Sequence, residues 1–376
     1  MERKLKSIVY IFECNNYDVN NIYRFIKSAV EGLGGLKNLF PKGRKILLKP
    51  NFLAPETPDK ATTTHPAIFE ACGKLLRDNG YEVYYGDSPA FHTTESVAKK
   101  TGFEDIANKL NIRKADFQNS VKVFSDKLYQ NKSFNIAKGV TEADHVVSLP
   151  KLKTHGLTLL TGAIKNQFGC IPGREKASYH VKLDDINRFS QMLVDLTTII
   201  NPSLYIMDAI IAMEGNGPHR GNPVHIGRLL ISTDPVAIDS VAAKIAGINP
   251  KNIKTNVLGH KSGLGTMEEI VIAGNTGDNT VKVFKMPRKD IFISLPAWAR
   301  KLIGEIVIPK PVFDYSKCIK CHECYDICPT EPKSIYIKEN KFPGYKYSTC
   351  IKCYCCQETC PAGAINIKIL PFRRYQ

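Results

Sequence analysis

Two cysteine motifs near the end of this 376-residue chain constrain its fold more than any other feature. Each motif has three cysteines spaced three residues apart, a fourth cysteine four residues later, and then a proline: Cys318, Cys321, Cys324, Cys328 and Pro329, and Cys350, Cys353, Cys356, Cys360 and Pro361. Three thiolates at such short intervals let one loop hold three corners of a cubane cluster. The spacing therefore predicts two 4Fe–4S clusters.

The fourth cysteine of each motif is directed away from its own loop and is expected to ligate the other cluster. The predicted ligand sets are Cys318, Cys321, Cys324 and Cys360 for one cluster, and Cys350, Cys353, Cys356 and Cys328 for the other. Apolar segments at 335–337 and 365–367 follow the two motifs, as a two-fold pseudosymmetric module needs. The segment resembles two-cluster bacterial ferredoxins, which implies a small α+β fold and one-electron transfer, usually at low potential.

Zinc is the competing interpretation of the cysteines, but structural zinc sites prefer isolated Cys-x2-Cys pairs that form separate tetrahedra. Two complete motifs, each ended by proline, favour clusters.

Two departures from the ferredoxin pattern stand out. Cys355 is an additional thiol beside Cys356, with three open roles: a spare ligand, a redox-sensitive group or none. His322 and Tyr354 stand where ferredoxins often carry glycine, which leaves the local backbone conformation open.

Cysteine usage and charge narrow the cellular context. Nine of the twelve cysteines fall between Cys318 and Cys360 and no secretory signal is evident, which favours metal ligation over disulfides. No apolar run approaches the roughly 18 residues of a membrane span, so a cytoplasmic protein without a transmembrane segment is expected. The net charge of +16 partly offsets the clusters and otherwise suits an acidic electron donor or acceptor protein, or a small anionic substrate. The lysines are scattered without runs of five, which argues against nucleic acid.

The first 290 residues alternate between short apolar runs and helical periodicity, which predicts an α/β domain with a largely parallel sheet and flanking helices. We expect residues 1–290 to form this domain, 291–313 a proline-punctuated linker with one amphipathic turn around Trp298, and 314–376 the cluster module. Predicted strands are 8–12, 46–48, 81–85, 144–149, 203–208 and 228–232; predicted helices are 19–33, 66–80, 95–110 and 235–246.

Several short segments combine turn residues with polar side chains at predicted strand ends. They are Lys49-Pro50-Asn51, Thr64-His65-Pro66, Gly86-Asp87-Ser88-Pro89, Lys151-Leu152-Lys153-Thr154-His155, Gly162-Ala163-Ile164-Lys165-Asn166, Gly169-Cys170-Ile171-Pro172-Gly173, Met213-Glu214-Gly215-Asn216-Gly217-Pro218 and Ser232-Thr233-Asp234-Pro235. Together they resemble the family called domain of unknown function 362, which is often fused to a ferredoxin module. The resemblance implies a fold and an iron–sulfur association, but no reaction.

Ligands of open parallel sheets bind outside the carboxyl ends of the strands, where these segments are expected to converge. Asn51, Asp87, Lys151 and Asp208 each follow or end a predicted strand. The predicted catalytic residues of the crevice are Lys153, His155, Lys165 and Glu214. The lysines suit anion binding, the histidine suits proton donation, and the glutamate suits acid/base chemistry or metal ligation. No Gly-x-Gly-x-x-Gly or Walker loop is present, so no nicotinamide or ATP site is indicated.

Each of these positions also has a structural explanation. Asp234 and His65 suit helix caps, and Asp87 with Ser88 suits a turn before Pro89. Lys165 is compatible with a solvated helix face, and Cys170 with either a small buried hydrophobe or a reactive thiol.

Three functions remain open at this point. The first is a ferredoxin-linked reductase that passes electrons to an anionic substrate in the crevice. The second is a non-catalytic electron carrier or adaptor for a partner redox enzyme, and the third is a nucleic-acid-binding iron–sulfur protein.

Overall fold

A computed structural model describes residues 6–89, 92–173, 175–176, 179, 183, 186–277, 281–286 and 310–368. The amphipathic turn expected around Trp298, and the part of the predicted linker before residue 310, lie outside the described residues. Among the described residues, no helix is long and apolar enough to cross a membrane.

The large domain is built on a mixed, mostly parallel sheet that has ten strands within the described residues. The order along the sheet is β12-β1-β11-β10-β7-β2-β3-β4, with β8 beside β10 and β9 beside β8. The antiparallel pairs are β1 with β11, β10 with β11, and β8 with β9. Their bounds are β1 Ser7–Glu13, β2 Lys45–Pro50, β3 Glu82–Tyr85, β4 Arg113–Lys114, β7 His145–Leu149, β8 Lys151–His155, β9 Leu159–Thr161, β10 Leu204–Asn216, β11 Arg220–Ser232 and β12 Ile270–Ala273. The predicted fold class is confirmed.

Helices cover both faces of this sheet. Along β2, Ile46 and Leu48 belong to the apolar core under the first helices of the chain, whereas Leu47 between them packs with the core on the opposite face. Successive side chains of a strand point to opposite faces, so a strand that is buried on both faces is a continuous apolar run. The helices are α1 Val19–Gly32, α2 Leu36–Leu39, α3 Pro66–Asp78, α4 Thr94–Thr101, α5 Phe103–Lys109, α6 Lys138–Thr141, α7 Ala163–Asn166, α8 Ile186–Ile200, α9 Pro235–Ile245 and α10 Lys254–Lys261; a separate two-stranded sheet pairs β5 Ser120–Phe124 with β6 Ser133–Ala137.

Capping side chains explain where several helices begin. Asp18 accepts from the backbone N–H of Asn21 at 2.7 Å, and α1 follows it. Asp234 accepts from the N–H groups of Val236 and Ala237 at 2.8 and 2.9 Å at the start of α9. Such bonds satisfy backbone donors that lack a partner within the helix. Asp234 is therefore a helix cap, as the sequence analysis suggested.

The chain departs from the predicted elements in three places. The helix predicted over 95–110 is two helices, α4 and α5, separated at Gly102, whose φ of +82° ends the first one. Lys151–His155, expected as a strand-end loop, is itself a fully buried strand. The strands predicted at 203–208 and 228–232 are the inner parts of a long hairpin of two 13-residue strands, β10 and β11.

The C-terminal module has the pseudosymmetry that its duplicated motif predicts. β13 Lys310–Phe313 pairs with β16 Ile365–Lys368, and β14 Ile335–Ile337 pairs with β15 Pro343–Tyr345, both antiparallel. A short helix overlaps each motif: α11 Glu323–Ile327 and α12 Cys355–Thr359. The two helices pack against each other around a small core to which Cys324, Cys356 and Cys360 contribute.

Candidate crevice and iron–sulfur module

Three buried lysines mark the carboxyl ends of the parallel strands in the large domain. Lys49 lies near the end of β2, and Lys151 and Lys153 lie on β8; at most 1% of each residue is exposed. A buried ammonium group is costly unless it is paired or hydrogen-bonded. The partners of these lysines therefore define the chemistry of the site.

Lys49 forms an ion pair with Asp87, with 2.8 Å between Nζ and Oδ1. The other carboxylate oxygen of Asp87 accepts from the backbone N–H of Phe52 at 2.7 Å, and Oδ1 also accepts from that of Ser88. Gly169 packs so closely here that an added Cβ would lie 1.8 Å from Asp87 Oδ1 and 2.8 Å from Lys49 Nζ. Asp87 therefore does more than form a turn: it holds the ammonium group of Lys49.

Lys176 joins this pair from the segment between α7 and α8, which sequence reasoning did not single out. Only 6% of the residue is exposed, and its ammonium group donates to the backbone carbonyl of Ser88. Burial lowers the pKa of Lys176 to about 7; Asp87 opposes this shift, while Lys49 and Lys165 add to it. A lysine in a polar segment usually indicates a solvated surface, so the sequence carried no signal for this position.

A second network surrounds Asp208, which is fully buried on β10. Lys151 Nζ lies 2.7 Å from Asp208 Oδ2, and the hydroxyl of Tyr17 donates to Oδ1 at 3.0 Å. The backbone N–H groups of His65 and Ile210 also donate to this carboxylate, at 2.9 and 3.2 Å. The carboxylate is thus held by one cation and three neutral donors.

Tyr17 was missed by the sequence analysis, although it is central to this network. Its ring stacks on that of His65 with 3.4 Å between centroids, and burial followed by the charge of Asp208 raises the pKa of Tyr17. His65 caps α3 by accepting from Ala67 N–H at 3.2 Å, as the structural explanation expected. Burial lowers the pKa of His65 to about 4.

The four predicted catalytic residues have different contacts in the structure. Lys153 donates to Asn51 Oδ1 at 2.7 Å and to the backbone carbonyl of Thr62 at 2.6 Å. Lys165 lies over the ring of Phe168, 4.8 Å from its centroid, and its charge acts on Lys176.

The other two predicted catalytic residues contact backbone amides. His155 Nδ1 accepts from the N–H groups of Leu157 and Thr158 at 3.0 and 3.3 Å, so this nitrogen carries no proton there. Glu214 accepts from the N–H of Lys285 at 2.9 Å, on the segment 281–286. Cys170 is fully buried, and burial raises the pKa of its thiol to about 12, which favours the small buried hydrophobe over the reactive thiol.

In the C-terminal module, the eight motif cysteines fall into two separate cavities. Cys318, Cys321, Cys324 and Cys360 line one, and Cys328, Cys350, Cys353 and Cys356 line the other. No group of three His, Cys, Asp or Glu side chains in the described part of the chain is arranged to hold a single metal ion. Two cavities with four thiols each fit the ligand requirement of two 4Fe–4S clusters.

The backbone of both loops adopts the conformation that ferredoxins usually give to glycine. His322 and Tyr354 have φ of +64° and +62°, and Lys320 and Lys352 precede them with φ of +60° and +57°. Non-glycine residues in this region are strained by roughly 1–2 kcal/mol each. The repetition of this strain at equivalent positions indicates that the loop geometry is required by what it holds.

Hydrogen-bond donors also approach the cavity sulfurs. Ala364 N–H donates to Cys360 Sγ at 3.2 Å, and the Tyr345 hydroxyl lies 3.3 Å from Cys356 Sγ. Donors to the ligand sulfurs tune the potential of an iron–sulfur cluster. Cys355 is buried on α12 and is not among the residues that line the cavity of the second motif.

The fold and these thiol cavities define an iron–sulfur electron-transfer protein with a large α/β domain. Residues 310–361 match the family model described as 4Fe-4S dicluster domain. Residues 46–244, more than half of the chain, match the model described as Domain of unknown function (DUF362), and the chain belongs to that family.

The chain is similar to one curated protein and to two solved structures. The Thylakoid-associated protein sll1697 of Synechocystis sp. is 35% identical over 260 residues, which cover 68% of this chain and 79% of that protein. The lactate racemase apoprotein of Thermoanaerobacterium thermosaccharolyticum matches with a TM-score of 0.42 at 15% identity, covering 65% of this chain and 58% of that one. A Thermotoga maritima protein matches with a TM-score of 0.33 at 15% identity, covering 58% and 56% of the two chains.

Proposed function

We propose that this protein relays low-potential electrons through two 4Fe–4S clusters to an anionic substrate bound in the α/β domain, as a cytoplasmic ferredoxin-linked reductase. The proposal includes the ligand sets predicted above and the division into a large domain, a linker and a cluster module. The predicted boundary between linker and module at residue 314 moves to residue 310, because β13 pairs with β16 of the module. The observation that carries it is the imbalance of charge among these buried groups. Asp87 forms an ion pair with Lys49, whereas the second buried lysine, Lys176, donates to the backbone carbonyl of Ser88.

An anion bound beside these lysines would balance the charge. Lys49 has a fixed partner in Asp87, so it is suited to binding and orientation. Lys176 has a pKa near neutrality, which is the condition for donating a proton at physiological pH. In the proposed reaction an external low-potential donor protein reduces the clusters, and each cluster passes one electron at a time to the substrate. Lys176 supplies one of the accompanying protons, water supplies the remainder, and solvent reprotonates Lys176.

Lys153 and Lys165 add positive charge to the same end of the sheet, in keeping with their predicted roles in anion binding. His155 and Glu214 stay predictions for proton transfer. His155 accepts from backbone amides, and Glu214 contacts both the backbone N–H and the ammonium group of Lys285. The clusters supply one-electron chemistry at low potential.

The test is anaerobic stopped-flow reoxidation of dithionite-reduced protein, followed by the visible absorption of the clusters. Nitrite, sulfite, a 2-oxo acid and a 2-enoate are the anionic acceptors. The crevice variants are Lys176→Met and Lys153→Met, and the matched control is Lys254→Met, which removes one exposed lysine on α10. We expect at least one acceptor to speed reoxidation more than tenfold, and both crevice variants, but not the control, to abolish that gain.

The alternative is a non-catalytic electron carrier or adaptor. It is favoured by exposure at the first motif, where Cys321 is exposed and 65% of Ile319 is accessible. Lysines 317 and 320 flank these residues and suit an acidic partner protein. If none of the four anions speeds reoxidation, while a protein acceptor reoxidises wild type and crevice variants at the same rate, the reductase proposal is wrong and the carrier is supported.

A further inference from the structure

The turn of the β10–β11 hairpin connects the large domain to the cluster module. It spans residues 217–219, between Asn216 at the end of β10 and Arg220 at the start of β11. The guanidinium of Arg220 donates to the backbone carbonyl of Cys360, a predicted cluster ligand. An added Cβ on Gly363 would lie 3.2 Å from Arg220 Cζ, so the guanidinium lies directly against this turn of the module.

His219 anchors the same turn to the large domain. Its Nε2 lies 3.1 Å from Glu56 Oε1, and only 6% of the histidine side chain is exposed. Burial acts to raise the pKa of Glu56, but hydrogen bonds from His219 and Thr62 outweigh it and hold this pKa at about 2. The carbonyl of Thr62 in turn accepts from Lys153, so the turn that carries Arg220 is tied to the crevice.

The Nε atom of Arg220 is buried, and no acceptor among the described residues lies within hydrogen-bond distance of it. A buried donor without an acceptor is destabilising, so its burial here needs another explanation. Arg220 does not line the cavity of the first motif but lies behind the Cys360–Gly363 turn, so its charge is close to the predicted cluster without a direct contact to it. Net charge near a cluster helps to set its potential.

We propose that Arg220 is a positioning residue for the cluster ligated by Cys318, Cys321, Cys324 and Cys360: it fixes the Cys360–Gly363 turn and raises the reduction potential of this cluster relative to the other. A permanent positive charge favours the more negative, reduced state. The inference rests on the clusters and not on the anionic substrate, so failure of the reductase proposal leaves it unaffected.

The test is an anaerobic redox titration of the full chain followed by electron paramagnetic resonance, with iron and sulfide counted for each variant. Arg220→Gln removes the charge, and Arg220→Lys keeps the charge without the planar guanidinium. Arg44→Gln is the matched control, because Arg44 is exposed before β2, at the opposite end of the sheet from the crevice. Cys321→Ser identifies which signal belongs to the cluster beside Arg220.

We expect Arg220→Gln to reduce the equilibrium constant for reduction of that one cluster roughly tenfold, which is about 59 mV for a one-electron couple. Arg220→Lys should give a smaller shift, and Arg44→Gln none. The proposal is overturned if fully loaded Arg220→Gln protein has both potentials of the wild type, if the other cluster shifts instead, or if Arg44→Gln gives the same shift.

Discussion

The ion pair between Lys151 and Asp208 makes a quantitative prediction about the stability of the large domain. Both side chains are 0% exposed, and their charged atoms are 2.7 Å apart. Removing one partner of a buried pair costs about 3–5 kcal/mol, because the remaining charge stays buried without compensation. The two single variants should differ, since the remaining partner differs.

Lys151→Met leaves the Asp208 carboxylate with the Tyr17 hydroxyl and the two N–H donors of His65 and Ile210. We therefore expect the lower end of the range, about 3 kcal/mol. Asp208→Asn leaves Lys151 with the hydroxyl oxygen of Tyr17 at 3.1 Å, so we expect the upper end, about 5 kcal/mol.

The double variant Lys151→Met/Asp208→Asn leaves no buried charge in this pair. Its cost should be about 5 kcal/mol rather than the additive 8, a coupling of about 3 kcal/mol. The assay is thermal unfolding of the large domain by near-ultraviolet circular dichroism, where each kcal/mol corresponds to about 2–4 °C for a domain of this size. Additive costs, or a single variant that costs less than about 1 kcal/mol, would refute the reasoning.

Four further predictions follow from individual residues. Substrate-dependent reoxidation should fall as pH rises above about 7, because Lys176 then loses its proton; a rate that is flat from pH 6 to 9 would exclude it as the donor. Between pH 6.5 and 4, His65 is neutral in the folded state, whereas the histidine of the unfolded chain binds a proton. The free energy of unfolding should therefore fall by up to about 3 kcal/mol as pH drops over this range. His65→Asn keeps a capping side chain and should remove this slope in pH-dependent melting curves. His322→Gly and Tyr354→Gly should relieve left-handed strain and slow the loss of visible absorbance in a chelator, whereas faster loss would mean that the side chains themselves stabilise the loops. Cys170 should resist N-ethylmaleimide in native protein at pH 8 and react on unfolding, as mass mapping of labelled peptides would show.

The sequence was most informative where local chemistry determines the structure. The duplicated cysteine spacing predicts the module because loop ligation depends only on nearby residues. Capping and periodicity predicted α1 and α9, whose starts are set by Asp18 and Asp234. Short apolar runs predicted the central strands, which tertiary packing then buries on both faces.

Long-range contacts account for what the sequence did not reveal. Lys151–His155 contains three charged or ionisable side chains and gave no strand signal, yet Asp208 and Asn51 satisfy its lysines inside the sheet. Tyr17 meets Asp208 across 191 residues of sequence, and Lys176 reaches Ser88 across 88. No local pattern encodes such pairs, so the sequence did not reveal which residues pair at the carboxyl ends of the strands.

The central claim is tested most directly by counting iron and acid-labile sulfide per chain in anaerobically purified protein, with spectra before and after dithionite. Two 4Fe–4S clusters predict about eight of each, with visible absorption that bleaches on reduction. Zinc without sulfide would contradict the account, because the two thiol cavities would then hold a structural metal and the chain would have no means of carrying electrons to the crevice.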